Sequence, residues 1–248
     1  MLPGDVAVII PARNESDRVG ATVTAALGLA GVDVVVVVDD ASADASAAIA
    51  AQAGAQVVRH SRHRGKAAAM QTGVRAVTRL ETAAPAAAPR LLLFLDADLG
   101  ASAAAAGSLA EPVRSGAADM TIAVFTERVR NGGFGFVTGL AGTGIRRATG
   151  WRPAQPLNGQ RCLTRAAFAA ASPLARGWGA ETGMTIDLLR QGMRIMEVEV
   201  PLTHRATGTD WRSQLHRLAQ FRDVAWALTV RAAPGRRRAA AVRPPGGA

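Results

Sequence analysis

Asp33-Val-Val-Val-Val-Val-Asp39-Asp40 sets five consecutive valines between aspartates. Valine is β-branched and favours extended backbone. A run without polar alternation suits a strand covered on both faces rather than one with a wet side. Two more such runs exist: Val6-Ala-Val-Ile-Ile10, ended by Pro11, and Leu91-Leu-Leu-Phe-Leu95 between Arg90 and Asp96. Helix-length segments lie between them over residues 17–29, 44–54 and 66–79, with Ser16 or Asp17 available to cap the first. Strand, helix, strand, helix, strand predicts an α/β fold: a Rossmann-like, mostly parallel central sheet flanked by helices on both faces.

Further along, strands are expected over 119–125 and 194–200, a surface linker over 83–89 and a helix over 211–231. Residues 131–144 hold six glycines, too many for a stiff helix, and read as a mobile segment over a site. The chain has 248 residues, 49% in the hydrophobic set, with 54 alanines and no tyrosine. That length suits a single catalytic domain over 1–232. Residues 233–248, rich in Arg, Gly, Pro and Ala without a period, read as a disordered basic tail.

The formal charge of +10 points to an anionic partner: nucleic acid, a membrane surface or a phosphorylated small molecule. Specific nucleic-acid binding lacks its usual signs, since there is no finger spacing, aromatic RNA platform or recognition-helix motif. A dinucleotide oxidoreductase is disfavoured because Pro11-Ala-Arg-Asn-Glu15 stands where a Gly-x-Gly-x-x-Gly turn would have to lie. No apolar run reaches the roughly 20 residues of a membrane span, and the start has no basic leader, so a cytoplasmic protein is expected. The arginines of 211–231 and of Arg236-Arg-Arg238 would suit peripheral contact with the inner face of the membrane, and the same helix would suit a homodimer. A single cysteine, Cys162, excludes an internal disulfide and a thiolate-rich zinc site, and is expected to be buried and inert.

In open α/β sheets ligands bind beyond the carboxyl ends of the strands. The three runs end in Pro11-Ala-Arg-Asn-Glu15, in Asp39-Asp-Ala-Ser-Ala-Asp44 and in Asp96-Ala-Asp98. Asp44 reads as a cap for the following helix. Asp96 and Asp98 alternate off a strand end, which can place one carboxylate on a sugar hydroxyl and the other on a divalent metal. Lys66 opens a helix, where a cation opposes the dipole, so an anionic partner is expected for it.

These segments, with Arg64-Gly-Lys66, stand in the order and approximate spacing of family 2 nucleotide-sugar glycosyltransferases, which the chain resembles over about residues 5–205. The resemblance implies the GT-A fold. It implies that Pro11, Ala12, Arg13 and Glu15 surround base and ribose, that Asp40 recognises the base, and that Lys66 approaches the nucleotide. A carboxylate at Asp40 would accept an N–H from uracil or guanine, which suits UDP or GDP. Asp96 and Ala97 would lie on the ribose side, and Asp98 would bind Mg²⁺ or Mn²⁺, with His204 completing the metal site. Glu181 resembles the acceptor-side acid of the family, but Thr182 follows it where many members carry the aspartate base. That departure suits an acceptor whose nucleophile is already an anion, or a retaining reaction. Arg146, Arg161 and Arg205 are candidates for an acceptor phosphate. The implied reaction moves a hexose from a UDP- or GDP-sugar to a phosphorylated acceptor, a polyprenyl phosphate first and a small acid such as 3-phosphoglycerate second. For the second, Gln155-Pro-Leu-Asn-Gly-Gln-Arg161 and His204 resemble glucosyl-3-phosphoglycerate and mannosylglycerate synthases. His60, His63 and His216 have no comparable support.

Overall fold

The structure is a computed structural model describing residues 4–83, 88–126, 135–202 and 211–232, with backbone alone at 135–136 and 211–219. Along the chain run β1 (Val6–Ala12), α1 (Val19–Leu27), β2 (Val32–Asp39), α2 (Ser46–Gln52), β3 (Gln56–Arg59), α3 (Lys66–Ala83) and β4 (Leu91–Phe94). A 3₁₀ helix (Gly100–Leu109), α4 (Glu111–Arg114) and β5 (Met120–Phe125) follow. The remainder is α5 (Gly135–Thr149), β6 (Arg161–Leu163), α6 (Arg165–Ala170), α7 (Gly179–Arg190), β7 (Ile195–Val200) and α8 (Trp211–Ala232).

One seven-stranded sheet has the order β3-β2-β1-β4-β6-β5-β7. Every neighbouring pair is parallel except those made by β6, which runs antiparallel to both β4 and β5. The apolar runs are covered on both faces, as their lack of alternation requires. Val6, Val8, Ile10, Val35 and Val37 pack with Val19 and Val23 of α1, Ala50 of α2 and Leu109 of the 3₁₀ helix. Ala7, Ile9, Val36, Val38, Leu92 and Phe94 pack on the other side with Met70 and Val77 of α3, Phe168 of α6 and Met184 and Leu188 of α7. Each of the larger side chains contributes about 1.5–3 kcal/mol on burial. The many alanines, such as Ala26, Ala103 and Ala106, are buried where α1 and the 3₁₀ helix approach each other.

Two local expectations change. The first helix starts at Val19 without a side-chain cap, because Ser16 instead gives its backbone N–H to Asp44 Oδ2 at 3.2 Å. Asp44 does serve the next helix, accepting the Ser46 N–H at 3.0 Å and the Ser46 hydroxyl. The glycine-rich stretch is helical from Gly135 onward. Packing overrides propensity there: a Cβ on Gly144 would lie 2.3 Å from Leu228 Cδ2, so the glycine lets α8 close on α5. Val137, Ala141 and Val224 form the seam. Residues 131–134, most of the 83–89 linker and the 233–248 tail lie outside the described residues. Among the described residues no helix is long and apolar enough to cross a membrane.

Candidate active site

Because β1, β2 and β4 are parallel neighbours, their carboxyl ends open on one rim. The loop after β1 is laced to the loop after β2. Asn14, in the left-handed region at φ 56°, donates its backbone N–H to Ser42 Oγ at 3.0 Å, and its Oδ1 accepts the Ala43 N–H at 2.9 Å. Glu15 gives its N–H to Ser46 Oγ at 2.8 Å. Ala12 is buried and its carbonyl accepts the Asp40 N–H at 2.9 Å, Pro11 is half-buried, and Arg13 is exposed. The Asp96-Ala97-Asp98 turn is fixed by α1 and the residue before it. Thr22 Oγ1 donates to the Ala97 carbonyl at 2.8 Å and accepts the Gly100 N–H at 2.8 Å. Arg18 Nη1 donates to the Asp98 carbonyl at 3.2 Å. Ala97 is buried and Asp98 half-buried.

Four groups from distant parts of the chain meet beside this turn. Lys66, the first residue of α3, donates to Asp96 Oδ1 at 2.7 Å and stands 3.0 Å from Glu181 Oε1. Gln160 Nε2 donates to Asp96 Oδ2 at 2.7 Å. Glu181 lies in the first turn of α7, where the helix dipole favours an acid, and is 2% exposed. Burial works against the Lys66 ammonium, but Asp96 and Glu181 outweigh it and raise its pKa above the usual lysine value. The Trp178 ring adds a cation–π contact at 5.9 Å. Gly159 shapes the slot, since a Cβ there would lie 2.4 Å from Lys66 Nζ and 3.0 Å from Asp96 Oδ1.

Three buried oxygens around this cluster have no hydrogen-bond partner: Gln160 Oε1, Glu181 Oε2 and Thr182 Oγ1. A buried acceptor left unpaired costs about 1–3 kcal/mol. Such a set is suited to hydroxyl donors of a polar ligand, while the lysine supplies positive charge for an anionic one.

Other predicted residues fall differently. The Asp40 carboxylate is occupied by protein donors: His60 Nδ1 at 2.7 Å and the Arg64 N–H at 2.8 Å on Oδ1, the Gly65 N–H at 2.7 Å and His63 Nδ1 at 2.7 Å on Oδ2. A carboxylate has about four acceptor sites, and four of the protein's own donors face this one. Burial would raise its pKa, yet those donors hold it below the ordinary carboxylate value. Arg161 is fully buried, and its guanidinium donates to the Asn158, Pro156 and Glu181 carbonyls and to Thr185 Oγ1. Burial pushes its pKa down to about 10 against the nearby Glu181 and Glu197. It braces the Gln155–Gln160 loop and α7. Arg146 is exposed in the last turn of α5. His204 and Arg205 lie outside the described residues. Cys162 is buried, as expected, and its thiol is pushed up to about 12 by burial.

Gln160, Trp178, His60 and His63 were not read from the sequence as site residues. Gln160 precedes a strand of only three residues, too short to leave a pattern. One signal was present for Lys66: it is the sole lysine among 29 basic residues. A compact ammonium fits a slot closed by Gly159, where a planar guanidinium would not.

Among solved structures, that of glucosyl-3-phosphoglycerate synthase from Mycobacterium tuberculosis in complex with phosphoglyceric acid superposes with a TM-score of 0.70 at 25% identity, covering 91% of this chain and 79% of that one. The same synthase with Mn²⁺, UDP and phosphoglyceric acid gives 0.72 at 24%, over 92% and 78%. A structure described only as a mycobacterial protein gives 0.70 at 24%, over 91% and 74%. No curated protein sequence matches the chain. A sequence profile described as Glycosyl transferase family 2 matches residues 7–167, from β1 through the Asp96–Asp98 turn and Gln160. That match takes in well over half of the 248 residues and the ends of β1, β2 and β4, and the chain therefore belongs to glycosyl transferase family 2.

Proposed function

We propose that the chain moves a hexose from a UDP-sugar to a small phosphorylated acid of the 3-phosphoglycerate kind, with Mg²⁺ or Mn²⁺ bound. The observation that carries this reading is the cluster of Lys66, Asp96, Gln160 and Glu181 with its unpaired buried oxygens. Sugar hydroxyls satisfy Glu181 Oε2 and Gln160 Oε1, and Lys66 faces the diphosphate side. Pro11, Ala12, Arg13 and Glu15 line the nucleoside. Thr182 rather than aspartate follows Glu181, so the site suits a reaction that needs no carboxylate base at that position. The acceptor class is supported by the phosphoglyceric acid bound to the synthase that is 25% identical over 91% of this chain.

Asp96 accepts from Lys66 and Gln160, and the metal is assigned to Asp98, a hard oxygen ligand at the rim. Among the described residues no three His, Cys, Asp or Glu side chains group as a metal site. Asp98, His204 and the substrate phosphates would hold the ion. When bound there, such an ion would supply positive charge against the departing nucleoside diphosphate.

A second reading, transfer to a polyprenyl phosphate by an enzyme resting on the cytoplasmic face of a membrane, is favoured by one observation. Trp226 and Val230 on α8 are 66% and 57% exposed beside Arg222. The same face would suit a homodimer.

The first test is a thermal-shift series with UDP, GDP, CDP and ADP, each with and without Mn²⁺. At about 100 times the dissociation constant a ligand adds about 2.7 kcal/mol, a shift of about 5–10 °C for a domain of this size. A metal-dependent shift with UDP alone, abolished in Asp98→Ala at unchanged folding, is expected. Turnover of UDP-glucose is then followed by mass spectrometry with 3-phosphoglycerate or a polyprenyl phosphate. Product from the lipid alone would replace the first acceptor with the second.

A further inference from the structure

Asp40 and the histidines around it form a buried polar network that the reaction as proposed does not use. All four donors to the Asp40 carboxylate come from residues 60–65, the connection between β3 and α3. His60 continues the chain of contacts, with Nε2 3.0 Å from Thr72 Oγ1 in the second turn of α3. Arg75 Nη2 donates to that hydroxyl at 2.8 Å. The threonine proton is then directed to Nε2, and the partners assign the imidazole proton to Nδ1, facing Asp40. The charged groups around the pair are Arg59, which holds Asp39, together with His63, Arg64 and Arg75.

The connection ends at Gly65, whose φ of +86° needs a glycine, and Lys66 follows as the first residue of α3. The first turn of α3 contains no acid and opens on a cation, an unfavourable start for a helix. Asp40 supplies the missing negative charge from another strand and takes the N–H groups of the two residues that precede the helix. The position of Lys66 against Asp96 and Glu181 thus depends on a carboxylate that touches neither.

We propose that Asp40 and His60 are positioning residues: they clamp the 60–65 connection to the end of β2 and to Thr72, and so set the sole lysine in the donor site. The role assigned to Lys66 rests on the proposed function, but its placement is measured independently. In full-length protein grown with ¹³Cε-lysine, Lys66 gives one signal, because the chain has no other lysine. His60→Leu is expected to shift or broaden that signal. It is also expected to lower kcat by about tenfold to a hundredfold while the dissociation constant for UMP, which carries base and ribose but no sugar, stays within about twofold. His60→Asn keeps a donor where Nδ1 lies and is expected to recover kcat to within about fivefold. Thr72→Val, a milder cut at the far end, is expected to move the signal the same way by less, and serves should His60→Leu fail to fold.

An unmoved lysine signal with unchanged kcat in His60→Leu or Thr72→Val overturns the clamp. Loss of UMP affinity equal to the loss of kcat also overturns it, returning Asp40 to the base site. A wild-type chain that binds no UMP counts against the proposed donor instead, and the lysine signal still decides the clamp.

Discussion

Replacing Gly159 with alanine tests the slot around Lys66 with a single methyl group. The new Cβ would lie 2.4 Å from Lys66 Nζ, where ordinary contact begins near 3.4 Å, so the ammonium must retreat by about 1 Å. It now sits 2.7 Å from Asp96 and 3.0 Å from Glu181. A retreat of that size breaks at least one of the two contacts. A charge-assisted hydrogen bond is worth about 1.5–3 kcal/mol, and if the lysine acts in the transition state that converts to a loss of about tenfold to 150-fold in kcat/KM. Folding should change little. No positive φ ties position 159 to glycine, and alanine loses less chain entropy on folding by about 0.4–1 kcal/mol. The assay is steady-state turnover of UDP-glucose beside a melting curve. Wild-type kcat/KM in Gly159→Ala at unchanged Tm would refute the reasoning, because the lysine would then have no need of its present position.

Three further outcomes are expected. Arg161→Met removes the guanidinium donors to three carbonyls and Thr185, and should cost about 3 kcal/mol, lowering Tm by about 6–12 °C; a Tm within 2 °C of wild type, on the order of measurement scatter, would show the guanidinium to be dispensable. Hydrogen bonds led by the Ser46 hydroxyl hold the Asp44 carboxyl at about 2, below its ordinary 3.8. Its stabilisation is therefore complete above about pH 4 and lost as pH falls through about 2, so the urea midpoint of wild type should fall more steeply than that of Asp44→Asn across that window. Burial pushes the Cys162 thiol to about 12, so a thiol reagent at about pH 8 should label the protein only in denaturant; prompt labelling of the native chain would contradict the burial.

The three apolar runs were legible because a strand buried on both faces carries its signal in every residue, as Val35 to Val38 do by entering the two core layers in turn. The acids at their ends were legible for the same reason, since the runs fix where the rim lies. What stayed hidden depends on distant partners. Gly144 reads as a helix breaker until Leu228 occupies the space above it. The four donors that the next connection gives to Asp40 leave no mark in the sequence around it. Arg161 carries no mark of burial in a chain with 29 basic residues, and only the carbonyls of its own loop and of α7 show why it is inside.

The reversed strand β6 has a consequence for how the molecule can be altered. Parallel neighbours must be joined by a crossover that returns the chain to the far edge of the sheet, so β1, β2 and β4 cannot be exchanged one at a time. β5 and β6 run in opposite directions, with Ile122 opposite Arg161, so the chain departs and comes back on the same edge. Gln155 Nε2 ties the two ends together by donating to the Phe125 carbonyl at 3.2 Å. The described part of that excursion, α5, is not hinged there alone: Val137 and Ala141 pack on Val224, and Ala154 gives its N–H to Glu197 Oε1 at 2.7 Å. A chimera cut between Phe125 and Gln155 would therefore keep its packing only if Val224 and Leu228 of α8 were exchanged with it.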